Sequence, residues 1–390
     1  MTEQNKVLLE LTEAHLETGL RGVPVGFCPT SSVDPIKGLF YRGYSIGDLA
    51  HKDPEDAIYL LFYGNLPTEE QRAQFDKHLA ENSELHPGVI KGLQALPQSG
   101  HPMKWLLNGL GLMAMYNGRS ELYSEDAMKV VAQLPELVAA IIRIRNGWGE
   151  PIKAKPELGY MENFVHMIGH PNGGEHMTEL LRVFSVLHMD HGGGNLSTFI
   201  GKAVASGQED MYGSLIGAMA GLAGPLHGMA NQECLKFLKR VVTEVGDPTD
   251  EDKVEEFIQR LWNNKEKLFG FGHAVLRVED PRATVQYELG EKICPDDIYF
   301  QAAKAMRKQG VAFLKKQPKV SNPFPNVDAV SGSLLSSQGL KREEYYTVLF
   351  GMSRCIGIAA QIVYEREYAR GGKGTPIIRP KYIYSGPKRS

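Results

Sequence analysis

The sequence lacks the markers of several common protein classes. Its four cysteines (Cys28, Cys234, Cys294 and Cys355) show no C-x-x-C spacing, which favours reduced thiols in a cytoplasmic protein over a disulfide framework. A basic excess is also missing, because the net charge is -3, and this argues against a general nucleic-acid binder. The charge balance still allows a local basic pocket for an anionic ligand.

Targeting and membrane signals are missing as well. Residues 1–20 are polar and contain four glutamates and no arginine, which is unlike a signal peptide or a transit peptide. We find no run of 18 apolar residues, so the sequence predicts no membrane-spanning segment and no membrane partner. Repeats and low-complexity tracts do not stand out. These absences predict a globular cytoplasmic protein.

The length and composition fit a protein of two domains. The chain has 390 residues, of which 42% are apolar and 23% charged, and these values allow a sizeable core. Pro54 and Thr68 are typical of helix starts. Apolar residues recur every three to four positions over residues 124–147, 297–315 and 342–368. Strands or turns are predicted over residues 22–42, so we predict an all-α fold with a short β element near the N-terminus.

Three glycine clusters interrupt the helical pattern, at residues 192–194, 221–228 and 270–272. Glycine allows positive φ angles and close approach of the backbone to another group. Such clusters are also common at helix ends. Since each cluster lies beside a histidine, the repeated pairing favours a ligand site.

Four segments hold most of the residues that can carry chemistry: His188-Met-Asp-His191-Gly-Gly-Gly-Asn, Gly224-Pro-Leu-His227-Gly-Met-Ala-Asn, Phe271-Gly-His273-Ala-Val-Leu-Arg277 with Asp280-Pro-Arg282, and Pro325-Asn-Val-Asp328. Each residue also has a simpler explanation. A lone histidine is often structural, and Asp328 fits a turn. His188 and His191 are three residues apart, a spacing that also suits a metal pair on one helix face. Arg354 lies in an apolar run, where an arginine needs a carboxylate from the protein or from a ligand.

Several motifs together resemble the citrate synthase family. They are GPLHGMANQE, GFGHAVLRVEDPR, FPNVDAVSG, LFGMSR and IIRPK, preceded by GLRG and SSVDPIKGLFYRGYSI. They occur in the family's order from about Gly19 to Lys381 and are nearer to the form found in eukaryotes. Val330 departs from some relatives and affects only the description of the pocket wall beside Asp328.

The resemblance implies roles that the chemistry requires. A thioester methyl group is a weak carbon acid, so its deprotonation needs a base and the enolate oxygen needs a hydrogen-bond donor. Asp328 matches the base and His227 the donor, while His273 matches the residue that polarises the ketone of oxaloacetate. The residues that match oxaloacetate contacts are His191, Arg282, Arg354 and Arg379, with Arg379 supplied by the partner subunit. The candidates for CoA contacts are Arg21, Arg277, Arg119, Lys319 and the main chain from Leu268 to Gly272.

The resemblance also implies the organisation of the protein. A large helical domain is expected over residues 1–227 and 334–390, with a smaller helical domain over residues 228–333 and the active site between them. We expect a homodimer or a higher assembly. The implied reaction is that of an acyltransferase of the tricarboxylic acid cycle: acetyl-CoA and oxaloacetate give citrate and CoA through an enolate and hydrolysis of citryl-CoA. No cofactor and no metal is implied.

Two alternatives stay open at the level of the sequence. A 2-methylcitrate synthase would use propionyl-CoA with the same residues, and one methylene changes binding by only ~1–3 kcal/mol in an apolar pocket. A non-catalytic protein that binds acyl-CoA or a metal is the alternative from another class. It would not need Asp328, His227 and His273 together.

Overall fold

The structure is a computed structural model that describes residues 7–386, and helices make up most of it. The ends of the predicted large domain, residues 1–6 and 387–390, lie outside the described residues. The first ten α-helices are α1 Ile46–Leu49, α2 Pro54–Tyr63, α3 Glu69–Glu81, α4 Pro87–Gln94, α5 Pro102–Asn117, α6 Tyr123–Asn146, α7 Tyr160–Ile168, α8 Met177–His188, α9 Leu196–Ser206 and α10 Met211–Leu222. The other seven are α11 Ala230–Val245, α12 Glu251–Asn263, α13 Pro281–Ile293, α14 Ile298–Ala305, α15 Val311–Lys315, α16 Asp328–Ser337 and α17 Tyr346–Val363. The all-α prediction is confirmed.

The short β element is an antiparallel sheet of three strands, β1 Ser31–Asp34, β2 Gly38–Tyr41 and β3 Tyr44–Ser45. The Asp34 carboxylate closes the first turn by accepting the main-chain N–H groups of Ile36 and Lys37, each at 2.8 Å. Gly38 has a φ of 92°, and a Cβ there would lie 2.5 Å from Cγ of Pro281. Glycine at this position therefore allows the hairpin to pack directly on the start of α13.

Helix α6 lies in the core and contains Pro135, which has no main-chain N–H to donate. The carbonyl of Val131, one turn earlier, accepts the hydroxyl of Tyr160 from α7 at 2.7 Å. A buried carbonyl freed by proline is thus satisfied by a neighbouring helix, and this bond joins α6 to α7.

Local sequence predicted where helices start, but it did not predict the π-helical turns that interrupt two of the predicted helices. Thr68 and Gln71 form a capping box at the start of α3, with the Thr68 N–H donating to Gln71 Oε1 at 2.9 Å. The predicted helices over 297–315 and 342–368 are broken into several pieces. Single π-helical turns occupy Met306–Gly310 and Tyr364–Tyr368, and 3-10 turns occupy Glu13–Glu17 and Glu343–Tyr345.

The helical stretch Glu343–Tyr368 is long and apolar enough to cross a membrane by length and composition, contrary to the sequence-based expectation. However, 94% of its most apolar window is buried inside the protein. Helices α6, α8, α9 and α10 pack around α17. This stretch therefore has the position of a core helix, and its apolar composition reflects burial on all sides.

Helices α11 to α16 pack largely on one another. Helix α11 contacts α12, α14 and α16, and α13 contacts α16. A second group, formed by α5, α6, α9, α10 and α17, also packs together, and α11 contacts α17 of this group. Functional side chains are expected where these two groups meet.

Candidate active site

His227 lies in the turn between α10 and α11. The main-chain N–H of Ser197, in the first turn of α9, donates to its Nε2 at 3.2 Å, and the Ser197 hydroxyl lies 2.9 Å from the same nitrogen. Since an N–H group points at Nε2, the neutral ring carries its proton on Nδ1. Burial and, to a smaller extent, the positive charge of Arg354 lower the pKa of His227 to about 4. His227 is therefore a neutral hydrogen-bond donor.

His273 lies in the loop between α12 and α13. Its Nδ1 accepts two main-chain N–H groups, from Val275 at 3.1 Å and from Leu276 at 3.0 Å. The proton of the neutral ring is consequently on Nε2. Burial and then the charge of Arg282 lower the pKa of His273, so the ring is neutral at physiological pH.

The loop of His273 is attached to the N-terminal hairpin. The main-chain N–H of Arg277 donates to the carbonyl of Pro35 at 2.8 Å. The Arg277 side chain folds back and donates to the carbonyls of Val275 and Leu276. The conformation of this loop thus depends on a segment near the beginning of the chain.

Asp328 is the first residue of α16. Its N–H donates to Oδ1 of Asn326 at 3.0 Å, and the Asn326 amide donates to the carbonyl of Gly272 at 3.0 Å. Asn326 therefore fixes the acid relative to the loop of His273. Burial raises the pKa of Asp328 to about 6, although the charge of Arg282 acts in the opposite direction. Such a carboxylate is a stronger base than a solvated aspartate.

Two buried arginines lie near these residues, and they are paired differently. Arg282, in the first turn of α13, makes two hydrogen bonds to Asp280, from Nε at 3.0 Å and from Nη2 at 2.7 Å. Arg354 of α17 donates from Nε to the carbonyl of His188 at 3.0 Å. Among the described residues, no carboxylate lies within ion-pair distance of Arg354. A buried, unpaired guanidinium is suited to a ligand carboxylate.

His191 follows α8, and its ring centroid lies 5.3 Å from that of His273. Its Nε2 is buried, and within residues 7–386 it has no hydrogen-bond partner. Burial, followed by the charges of Arg282 and Arg354, lowers the pKa of His191 well below its usual value. A neutral ring with an unsatisfied buried nitrogen is consistent with a substrate contact.

A cleft of about 590 Å³ adjoins this group. Its walls contain His273, Asp328 and three of the residues predicted to contact CoA, namely Leu268, Gly272 and Lys319. The thiol of Cys234 also lines it, and burial raises the pKa of this thiol well above its usual value. The cleft is lined both by an exposed lysine, Lys319, and by the partly buried Asp328, which suits a long ligand with a reactive end.

Three predicted residues lie away from this cleft in the single chain. Arg21 is exposed in the segment before β1. Arg119 is exposed and donates to the carbonyl of Gln208, just after α9. Arg379 is exposed in the C-terminal tail, where the N–H of the preceding Ile378 donates to Ser206, the last residue of α9. Since α9 has 11 residues and spans about 16 Å, this point is remote from its first turn beside His227.

The sequence-based interpretation missed three supporting residues. Asp280 is the N-cap of α13 as well as the partner of Arg282, and an aspartate followed by proline at a helix start could have indicated this. Asn326 follows a proline before a helix, which is a weaker signal. Ser197 had no local signal, because its contact with His227 depends on tertiary packing.

His188 and His191 do not share a helix face, so they do not form the metal pair that their spacing suggested. His188 is the last residue of α8, and its Nδ1–H donates to the carbonyl of Phe184 at 2.7 Å. Burial lowers the pKa of His188 to about 3, so it is a neutral core residue. His191 lies beyond the helix end. In the described part of the chain, no group of three or more His, Cys, Asp or Glu side chains could hold a metal ion.

Comparison with known proteins agrees with this arrangement. The family model for the citrate synthase C-terminal domain matches residues 19–381. A citrate synthase from Citrus maxima is 37% identical over 94% of this chain and 81% of its own length, and one from Daucus carota is 36% identical over 98% and 84%. The helical fold, the cleft and these matches define an enzyme of the acyltransferase type.

Solved structures give the same result. Citrate synthase from Thermotoga maritima has a TM-score of 0.81 at 30% identity, covering 95% of this chain and 96% of its own. The Thermoplasma acidophilum enzyme, solved with carboxymethyl coenzyme A and oxaloacetate, has a TM-score of 0.83 at 26% identity, covering 96% and 97%. The chain belongs to the citrate synthase family.

The comparisons overturn one expectation. The sequence predicted a cytoplasmic location, but the relatives from Citrus maxima and Daucus carota are named as mitochondrial enzymes. Unpaired cysteines indicate only that a protein is kept in a reducing environment, and they do not distinguish between such compartments. The cytoplasmic prediction is therefore wrong.

Proposed function

We propose that this chain condenses acetyl-CoA with oxaloacetate and releases citrate and CoA. The observation that carries the proposal is the partly buried Asp328, whose pKa is raised to about 6, in the same cleft as the neutral His273. A strong base and a neutral donor on one cleft are what the deprotonation of a thioester and attack on a ketone require.

The first step is removal of a proton from the methyl group of the thioester. Asp328 takes this proton, and the Nδ1–H of His227 donates to the oxygen that becomes the enolate. Because His227 is held neutral, it stabilises the developing charge as a hydrogen-bond donor without losing its own proton.

The second step is attack of the enolate carbon on the ketone of oxaloacetate. The Nε2–H of His273 polarises the ketone and supplies the proton as the alkoxide forms. Arg354, Arg282 and His191 hold the substrate carboxylates, since the first has no carboxylate partner and the last has an unsatisfied nitrogen. Hydrolysis of citryl-CoA in the same cleft then releases the two products.

For CoA itself, we propose contacts along the cleft wall. Lys319 is exposed at the cleft and suits a phosphate, and the main chain from Leu268 to Gly272 suits the adenine. Arg277 would have to leave the carbonyls of its own loop to reach a phosphate. Arg21 and Arg119 are weaker candidates, because they lie outside the cleft of their own chain.

The proposed assembly is a homodimer in which Arg379 acts on the partner's substrate. Its support is the position of Ile378 at the far end of α9, away from this chain's own cleft.

We further propose that the chain forms two domains that close over the substrates. The large domain comprises residues 1–227 and 334–390, and the small domain comprises residues 228–333. The mutual packing of α11 to α16 supports this division, and closure would exclude water from the enolate.

A thiol-release assay tests the function directly. With oxaloacetate present, acetyl-CoA should release free CoA with a higher kcat/KM than propionyl-CoA. A preference for propionyl-CoA would identify a 2-methylcitrate synthase and would leave the roles of the residues unchanged. Absence of thiol release with either thioester, in a folded protein, would contradict the proposed function.

The pH dependence should follow the ionisation of Asp328. Because the base must be ionised, kcat/KM should fall about tenfold per pH unit below about pH 6, the pKa of Asp328. His227, with a pKa of about 4, should not contribute in this range. Initial rates between pH 5 and 9 at constant ionic strength measure this. A flat profile down to pH 5 would argue against Asp328 as the base.

A further inference from the structure

Asp190 is a completely buried carboxylate that the proposed mechanism does not use. Its oxygens accept hydrogen bonds from the Thr30 hydroxyl, from the Gln361 side-chain amide at 2.7 Å and from the main-chain N–H of His191 at 2.9 Å. All three donors are neutral. Within the described chain, no lysine, arginine or histidine side chain lies within ion-pair distance of Asp190. Neutral donors solvate a carboxylate but leave its net charge in place.

Arg354 is the complementary case, a buried cation with no carboxylate at ion-pair distance in the same described range. Burial lowers the pKa of Arg354 to about 10, and Asp190 is the group that opposes this effect most strongly. The two uncompensated charges therefore act on each other through space. The charge of Arg282 is already balanced by its direct ion pair with Asp280.

The geometry brings the two charges to one face of α17. Arg354, Gly357 and Gln361 are three and four residues apart, so they lie on the same side of the helix. A Cβ at Gly357 would lie 2.2 Å from the carbonyl of Met189 and 2.7 Å from Cβ of Asp190. The absence of a side chain at Gly357 thus lets the segment of Asp190 rest directly on the helix that carries Arg354.

We propose that Asp190 is the resident counter-anion of the substrate site, a positioning residue that balances Arg354 while the site is empty and holds the loop of His191 on α17. The inference rests on the proposed binding of a dicarboxylate by Arg354. A bound dicarboxylate brings its own negative charge and is repelled by Asp190. The residue therefore stabilises the empty site and weakens substrate binding, so its charge favours release.

The charge is tested by Asp190→Asn, which keeps the size of the side chain. The asparagine Oδ1 can still accept from the Gln361 amide and the His191 main-chain N–H, and its new amide can donate to the Thr30 hydroxyl. We expect a lower thermal midpoint without ligand. We also expect oxaloacetate to bind at least about tenfold more tightly, because one repulsive charge is removed from a poorly solvated site. Calorimetric titration with oxaloacetate measures the affinity.

Two further variants separate charge from structure. Thr30→Val removes one donor but keeps the Asp190 charge, so it should show no tightening. Glu55→Gln neutralises another buried carboxylate, paired with Arg72 at 3.5 Å, and should leave the affinity for oxaloacetate unchanged. Unchanged or weaker binding by Asp190→Asn, with normal binding by the wild type, overturns only the role of Asp190. No binding by the wild type overturns the proposed function as well.

Discussion

Asp328→Asn should lower the kcat of condensation by about 10²–10⁴-fold, the usual effect of losing a general base. Asparagine keeps the shape of the side chain but cannot take a proton from the thioester methyl group. The fold and the affinity for oxaloacetate should be retained, since the Asp328 side chain is not among the proposed contacts to oxaloacetate. Thiol release, circular dichroism and oxaloacetate titration measure these three properties.

Asp252→Asn provides the matched control. This aspartate also lies in the first turn of a helix, α12, but it is exposed to solvent. The Asp252→Asn variant should catalyse condensation with the kcat of the wild type. Near wild-type turnover in Asp328→Asn would show that another group is the base.

Mixed dimers should recover activity from two inactive variants, Arg379→Ala and His273→Ala, if Arg379 acts on the partner's substrate. In a mixed dimer, one site then receives both defects and the other receives neither. Random pairing of equal amounts makes half of the dimers mixed, so about a quarter of all sites should be intact under two-fold symmetry. Co-expression with two different tags and tandem purification isolates the mixed dimers, in which thiol release should reach about half of the wild-type activity per site.

A control pair lies within one cleft. Asp328→Asn and His273→Ala affect residues that line the same cleft of one chain, so each site of their mixed dimer keeps one defect. This pair should recover no activity. If purified mixed dimers of the Arg379 pair are equally inactive, Arg379 does not act in trans.

Local sequence was sufficient for the helices whose ends carry their own signals. The helix predicted over residues 124–147 is found at Tyr123–Asn146, and Thr68 caps α3 as predicted. The π-helical turns at Met306–Gly310 and Tyr364–Tyr368 were not predicted. Such a turn adds one residue without disturbing the apolar spacing on either side, so periodicity does not reveal it.

For the site, sequence predicted the residue types but not their partners. His191, His273 and Asp328 were predicted from their motifs, and the structure brings them to one region. The pairing of Arg282 with Asp280 and the tautomer of His273 depend on hydrogen bonds that motifs do not contain. The single chain also leaves Arg379 outside the cleft, which a motif alone cannot indicate. The roles of these residues stay predictions until the variants are measured.

The attachment of the His273 loop to Pro35 has a consequence for the order of folding. The two partners are far apart in sequence, so closing the chain between them costs conformational entropy that local helix formation does not. The helices can therefore form and pack before the hairpin reaches the loop that it supports. During synthesis or refolding, full helix content would then precede catalytic competence, and the last structural event to matter would involve a hairpin that is made well before the loop it supports.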